Sequence, residues 1–286
     1  MRPAPSDEDV AATGWSLARL VGFALVGGAA IFVGGTPYFE YTAANDSPVY
    51  SALLVVVFGL LAWVLRRRPS LSRYAAFSYA LFVAAAAMLV RVIDPFGWLV
   101  TADEDTVQWA AQGKLSEFLA IVPVILFLIW IARRPWGWIY LQRGRLKRWL
   151  IFGVLSFAAG VAGIMGLAVA SGISAATLAS AAPWILAFAA LNAVMEELWF
   201  RGIFLRDYTA GMGAVVAIVV TAIIFGAAHV GASYINPGET VLVVSLVVAL
   251  GAVLGWAIRW GDSLWGAVLL HMGLDFLVIF ALLDAA

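Results

Sequence analysis

The chain has 286 residues, of which 64% are hydrophobic and only 12% are charged, whereas soluble domains have about 45 to 50% apolar and about 25% charged residues. This composition excludes an ordinary soluble domain and indicates a chain that lies mostly within a membrane. Its 17 basic and 17 acidic residues leave no net charge that would favour nucleic acid as a partner, and the absence of cysteine excludes disulfide bonds, thiolate metal sites and a cysteine nucleophile.

Nine apolar runs are long enough to cross a membrane as helices, because a crossing needs about 20 predominantly apolar residues. They lie at residues 15–35, 49–65, 74–93, 115–132, 149–171, 182–206, 213–230, 239–259 and 263–284. Residues 171–182 are small and weakly polar, which would also suit a re-entrant or interfacial piece between the fifth and sixth runs. We therefore predict an all-α, polytopic membrane helix bundle of about nine transmembrane helices.

Basic residues are concentrated in two of the loops. They are Arg66, Arg67, Arg68 and Arg73 in the loop after helix two, and Arg133, Arg134, Arg143, Arg145, Lys147 and Arg148 in the loop after helix four. The positive-inside rule places both loops and the N-terminus in the cytoplasm. We expect a multi-pass protein of a bacterial or archaeal plasma membrane. The second loop also contains tryptophan and tyrosine, a mix suited to an anionic membrane face, although fixing the topology is the simpler interpretation.

Ionisable residues interrupt the apolar pattern in the last four helices. They are Glu196, Glu197, Arg201, His229, His271 and Asp275, and they include both histidines of the chain. A charged residue at the centre of a membrane helix costs about 2.5 to 3.5 kcal/mol on insertion scales, so such residues usually mark a functional site.

The first polar cluster contains two adjacent glutamates with different neighbours on a helix. Residues four apart share a face, so Glu197 lies above Arg201, whereas Glu196 points elsewhere, in line with Asn192. Arg201 can hold Glu197 ionised, which leaves Glu196 available as a general base. The structural alternative is an ion pair within the helix and a second carboxylate turned towards a water-filled crevice.

Each histidine belongs to a further cluster. Phe225 and His229 share a helical stripe, and small residues beside them at 226–228 would let a neighbouring helix come close. His271 lies one turn before Asp275, which can accept the imidazole proton or, when protonated, donate a hydrogen bond.

These residues leave two chemistries open. The chain has no His-Glu-x-x-His, no Gly-x-Ser-x-Gly and no aspartyl dyad. A carboxylate base with two histidines can activate water against a carbonyl and stabilise the resulting oxyanion. A zinc site of Glu196, His229 and His271 with one open position also has acceptable ligand types.

The ordered set Glu196-Glu197-x-x-x-Arg201, Phe225-x-x-x-His229 and His271-x-x-x-Asp275 resembles the CPBP family, which includes the CAAX proteases and bacteriocin-processing enzymes. The resemblance covers about residues 180 to 284. It implies that residues 180–286 form the catalytic core and that residues 1–179 form about five preceding transmembrane helices.

The resemblance also implies roles for the residues. Glu196 would activate water with help from His229, and His271 with the residue at 275 would bind the oxyanion. Glu197 and Arg201, with Asn192 and Phe225 nearby, would support the site. The family motif often ends in asparagine, and an ionised Asp275 would repel an oxyanion, so Asp275 is either protonated or orients His271.

We therefore expect an intramembrane glutamic endopeptidase that cleaves a membrane-anchored or prenylated peptide or protein. We expect no cofactor, with the zinc site as the alternative. The rival functions are a proton-coupled transporter, in which the same residues form a relay, and a non-catalytic membrane receptor or assembly factor.

Overall fold

A computed structural model describes residues 7–34, 47–230 and 237–284 of the chain, without the side chains of residues 7–15, 237, 281 and 284. Within these ranges the regular structure is helical throughout, which confirms the all-α prediction. The α-helices are α1 (Asp7–Phe32), α2 (Pro48–Leu65), α3 (Ser72–Ile93), α4 (Val107–Ile131), α5 (Leu146–Ala170), α6 (Ala175–Glu196), α7 (Leu205–Met212), α8 (Ala214–Ala228), α9 (Thr240–Gly261), α10 (Trp265–Ile279) and α11 (Ala281–Asp284).

The helices have the dimensions of membrane-spanning segments. In the described part of the chain, six helical stretches are long and apolar enough to cross a membrane, and three shorter apolar helices accompany them. Many large apolar side chains on these helices stay exposed, for example Leu53, Leu155 and Leu246 at 58%, 65% and 60%. Because lipid tails, unlike water, solvate such side chains, the chain is an integral membrane protein.

The sixth predicted helix differs from its prediction at both ends. It begins at Ala175, where the Oγ of Ser174 accepts a hydrogen bond from the backbone N–H of Thr177 at 3.0 Å. Of residues 171–182, residues 171–174 therefore form a short turn, and residues 175–182 belong to α6. At the other end α6 stops at Glu196 and a π-helix, Glu197–Gly202, follows, where the sequence predicted unbroken α-helix to residue 206. Hydrophobic periodicity does not distinguish these two helical types over six residues.

The helices form two compact units, each described here by itself. The first unit comprises residues 1–85 and 204–252, and in it α1 packs against α2, α7 and α8. The rings of Phe77 and Tyr208, both fully buried, lie 4.3 Å apart between centroids. A Cβ added at Gly226 would collide with Val248, so the predicted close approach of a neighbouring helix to this small residue is present.

The second unit comprises residues 86–203 and 253–286, and it contains Glu196, Glu197, His271 and Asp275. In it α10 packs against α5 and α6, and α4 packs against α6. Buried apolar side chains from these four helices and from α11 form its core: Val107, Ala111, Ile164, Ile185, Phe188, Ala189, Phe276, Ile279 and Leu283. This core fixes the position of α6, which ends at Glu196, and of α10, which carries His271 and Asp275.

Paired glycines bring α5 and α10 into backbone contact. A Cβ on Gly160 would collide with the backbone of Gly273, and a Cβ on Gly153 would lie 3.2 Å from the Cα of Gly266. The two glycines of each helix are seven residues apart, so they lie on one face. Gly273 lies between His271 and Asp275, and the close packing therefore fixes the segment of α10 that carries both side chains.

The predicted boundary after residue 179 divides the chain by function, into preceding transmembrane helices (residues 1–179) and a catalytic core (residues 180–286). The two compact units are defined by packing, each from discontinuous stretches of chain. The functional boundary therefore stays a prediction.

Candidate active site

Glu197 is the centre of the buried polar cluster. It begins the π-helix, and its side chain and that of Arg201 are both 0% exposed. The Nη1 of Arg201 donates to the Oε1 of Glu197 at 2.7 Å, so the contact expected from their spacing of four residues is present. A π-helix is rare and is frequently found at functional sites.

His271 binds the same carboxylate from α10. Its Nδ1 lies 2.8 Å from the Oε1 of Glu197, across 74 residues of chain, and the ring is buried. Because an ionised carboxylate only accepts hydrogen bonds, Nδ1 carries the hydrogen. This contact was not predicted, since local spacing links His271 only to Asp275.

The other nitrogen of His271 faces two more carboxylates. Its Nε2 lies 3.7 Å from the Oε2 of Glu196 and 3.6 Å from the Oδ1 of Asp275. Both distances exceed those of a direct hydrogen bond. The predicted neighbourhood of His271 and Asp275 is therefore present, but it is Glu197, and not Asp275, that accepts the hydrogen of the ring.

Asp275 is held from α6 by Asn192. The Nδ2 of Asn192 donates to the Oδ2 of Asp275 at 3.1 Å, and both side chains are buried. The helical spacing put Asn192 in line with Glu196, and the structure adds that its amide contacts Asp275. The bond leaves Oδ1 of Asp275 on the side of His271.

Glu196 is the least constrained carboxylate of the group. Its side chain is 13% exposed, against 0% for Glu197 and 7% for Asp275. Its Oε2 is buried and accepts no hydrogen bond from the described residues. The two adjacent glutamates therefore have different environments, as the helical spacing predicted. Glu197 accepts hydrogen bonds from Arg201 and His271, whereas the Oε2 of Glu196 accepts none from the described residues.

Phe225 and His229 belong to the first unit. His229 follows the last residue of α8, and its ring lies 4.5 Å from that of Phe225 in an edge-to-face arrangement. The Nδ1 of His229 lies 2.8 Å from the carbonyl oxygen of Phe225. A carbonyl only accepts, so Nδ1 carries the hydrogen and the Nε2 of a neutral ring has the lone pair of a base.

The sequence left open a zinc site of Glu196, His229 and His271. Among the described residues, no group of three histidine, aspartate or glutamate side chains has a geometry that could hold a metal ion. The zinc site considered from the sequence is therefore not proposed.

The sequence did not predict a further, partly buried ion cluster. Glu117, within α4, lies 2.7 Å from Arg91 and 2.7 Å from Lys114. Arg91 lies in the last turn of α3, and Lys114 lies in α4. The spacing of three residues between Lys114 and Glu117 was the available signal.

The fold and the site together define an integral membrane helix bundle that contains a buried cluster of carboxylates, histidine and arginine. Residues 178–277 match the family model described as "Type II CAAX prenyl endopeptidase Rce1-like". The match contains all three motifs and confirms the resemblance to the CPBP family of CAAX proteases. No curated protein and no solved structure matches the chain.

Proposed function

We propose that the chain is an intramembrane endopeptidase in which Glu196 activates water for attack on a peptide bond. The observation that carries this proposal is the contrast between the two adjacent glutamates. Arg201 and His271 both bind Glu197, whereas the Oε2 of Glu196 accepts no hydrogen bond from the described residues and faces the Nε2 of His271 at 3.7 Å. A carboxylate oxygen that accepts no hydrogen bond from arginine or histidine keeps its lone pairs for the proton of a water molecule.

In the proposed reaction Glu196 takes a proton from water, and the resulting hydroxide attacks the carbonyl carbon of the scissile bond. His229 is proposed as an assisting residue because it lies in a motif of the matched family model, and the Nε2 of its neutral ring can act as a base. The proton taken by Glu196 then passes to the nitrogen of the leaving amine as the C–N bond breaks. This sequence restores the carboxylate and consumes one water.

His271 is proposed to stabilise the oxyanion. Its Nδ1–H is bound to Glu197, so donation to an oxyanion through Nε2 requires the doubly protonated imidazolium. The negative charge of Glu197, in direct contact with Nδ1, stabilises such a cation. Asn192 would keep Asp275 in place beside the ring, and Arg201 would keep Glu197 in place.

The proposed substrate is a membrane-anchored or prenylated peptide or protein, because the matched family consists of CAAX prenyl endopeptidases. We propose that residues 180–286 form the catalytic core. The basic loops and the N-terminus are proposed to lie in the cytoplasm, as the positive-inside rule predicts.

Identification of protein termini in membranes tests the function. Membranes that contain the wild-type chain are compared with membranes that contain Glu196→Gln, and new termini are identified by mass spectrometry. We expect membrane-protein fragments that occur only with the wild-type chain. The absence of any fragment, together with a proton-dependent flux across vesicles that depends on Glu196, would instead favour the transporter.

A further inference from the structure

The loop between α4 and α5 has a strong and local excess of positive charge. Residues 133–148 contain six basic residues and no acidic residue. Five of these side chains are exposed, and we name them the cationic loop surface: Arg133, Arg143, Arg145, Lys147 and Arg148. Residues 240–274 of the same chain contain one acidic residue, Asp262, and one basic residue, Arg259. This segment therefore does not cancel the positive charge of the loop.

Hydrogen bonds hold this loop in one conformation. The backbone N–H of Arg145 donates to the carbonyl of Gly261 at 2.6 Å, and the Nε2 of Gln142 donates to the carbonyl of Asp262 at 3.0 Å. In the opposite direction, Ser263 Oγ donates to the carbonyl of Gln142 at 2.8 Å. A loop that only fixes the membrane topology needs positive charge but no defined conformation. Because these hydrogen bonds fix the conformation of the loop, they indicate a preformed surface.

Aromatic rings border the cationic loop surface. Arg148 lies over the ring of Trp260 at 5.7 Å, and Trp260 is stacked on Trp256 with centroids 5.3 Å apart. Trp256 is 47% exposed, and Trp136 in the loop itself is 46% exposed. Exposed tryptophan beside arginine and lysine is typical of the level of the lipid headgroups.

We propose that the cationic loop surface binds the phosphate headgroups of anionic phospholipids. Its charge is complementary to such lipids, and arginine guanidinium groups bind phosphate through paired hydrogen bonds. The neighbouring tryptophans place the cations at the depth of the phosphates, and the ordered loop reduces the entropy lost on binding. The proposal does not depend on the proposed protease activity.

The test measures lipid retained by the purified full-length chain. Protein in mixed micelles with equal amounts of phosphatidylglycerol and phosphatidylcholine is analysed by native mass spectrometry. The variant Arg143→Gln/Lys147→Gln is compared with the matched control Arg66→Gln/Arg68→Gln, which removes two exposed charges from the other basic loop. None of these four residues is an arginine found over a tryptophan ring.

We expect the wild-type chain and the control to retain phosphatidylglycerol in preference to phosphatidylcholine. Because each basic residue near an anionic surface contributes about 1 kcal/mol, or roughly fivefold, the loop variant should lose this preference by roughly tenfold or more. Equal losses in the two variants, or no preference in the wild type, would overturn the proposal.

Two further measurements keep the result decisive. If the double variant does not fold, Lys147→Gln alone should lower the preference by roughly fivefold while the control Arg66→Gln does not. Excess glycerol phosphate should leave the bound lipid in place. Its removal by glycerol phosphate would show a site for free phosphate groups and would contradict a lipid site.

Discussion

The Nδ1 of His271 and the Nη1 of Arg201 bind the same oxygen atom of Glu197, at 2.8 and 2.7 Å. One buried carboxylate therefore fixes both an arginine on its own π-helix and a histidine on α10. This arrangement makes Glu197 a positioning residue. The neighbouring Glu196 is the carboxylate that we propose as the general base. The two glutamates should thus respond differently to the same substitution.

Glu197→Gln should destabilise the protein by about 3 to 5 kcal/mol, because it leaves Arg201 as a buried charge without its carboxylate. The same substitution at Glu196 should change stability by less than about 1 kcal/mol, since the Oε2 of Glu196 accepts no hydrogen bond from the described residues. Thermal unfolding of both variants in detergent measures the difference. Equal unfolding midpoints would show that Glu197 does not hold the cluster together.

Gly160→Ala should disturb the site through packing alone. Its Cβ would collide with the backbone of Gly273, next to the segment that carries His271. We expect an overpacking cost of about 1 to 3 kcal/mol and lower activity.

The matched control is Gly166→Ala on the same helix, where a Cβ would meet nothing within 4 Å. Here the substitution should be neutral or stabilising by roughly 0.5 to 1 kcal/mol, since alanine is the better helix former. If both alanine variants behave alike in unfolding and cleavage assays, the contact between α5 and α10 does not position the site.

The sequence predicted those features that depend on local spacing. Apolar runs located the helices, and the spacing of four residues predicted the contact of Glu197 with Arg201 and the proximity of His271 to Asp275. The free-energy cost of placing charged residues within a membrane singled out the last four helices as the place of a candidate site.

The remaining features depend on contacts between distant segments. The contact between Glu197 and His271 joins residues 74 positions apart, and the amide of Asn192 binds Asp275 across 83 positions. Neither has a local signal. The π-helix after Glu196 was also missed, because a change from α to π over six residues leaves the apolar pattern nearly unchanged.

Asp275→Asn should be tolerated or should increase the rate. An amide at this position can still accept from Asn192 through its oxygen, and it can donate to an oxyanion through its nitrogen without carrying a negative charge. Measurement of kcat and KM on a cleaved membrane substrate checks this. A large fall in kcat with an unchanged KM would show that the negative charge on Asp275 is needed, as expected if it stabilises the His271 imidazolium.

Removal of metal should not abolish activity. We expect purified protein to contain less than one metal ion per chain and to keep its activity after dialysis against a strong chelator. His271→Ala should cost roughly 2.7 to 4 kcal/mol of transition-state stabilisation, as for the loss of one oxyanion donor, and should not change the metal content. One tightly bound zinc per chain that is lost in His271→Ala would establish a metalloprotease instead.

The most direct measurement is cleavage of a membrane substrate by Glu196→Gln in reconstituted vesicles, beside the wild-type chain and the control Glu104→Gln, an exposed glutamate in the loop before α4. Glutamine keeps the shape of Glu196 but cannot accept the proton of the attacking water. We expect full cleavage by the wild type and the control, and no detectable cleavage by a correctly folded Glu196→Gln. Cleavage by Glu196→Gln at the wild-type rate would contradict the assignment of Glu196 as the base.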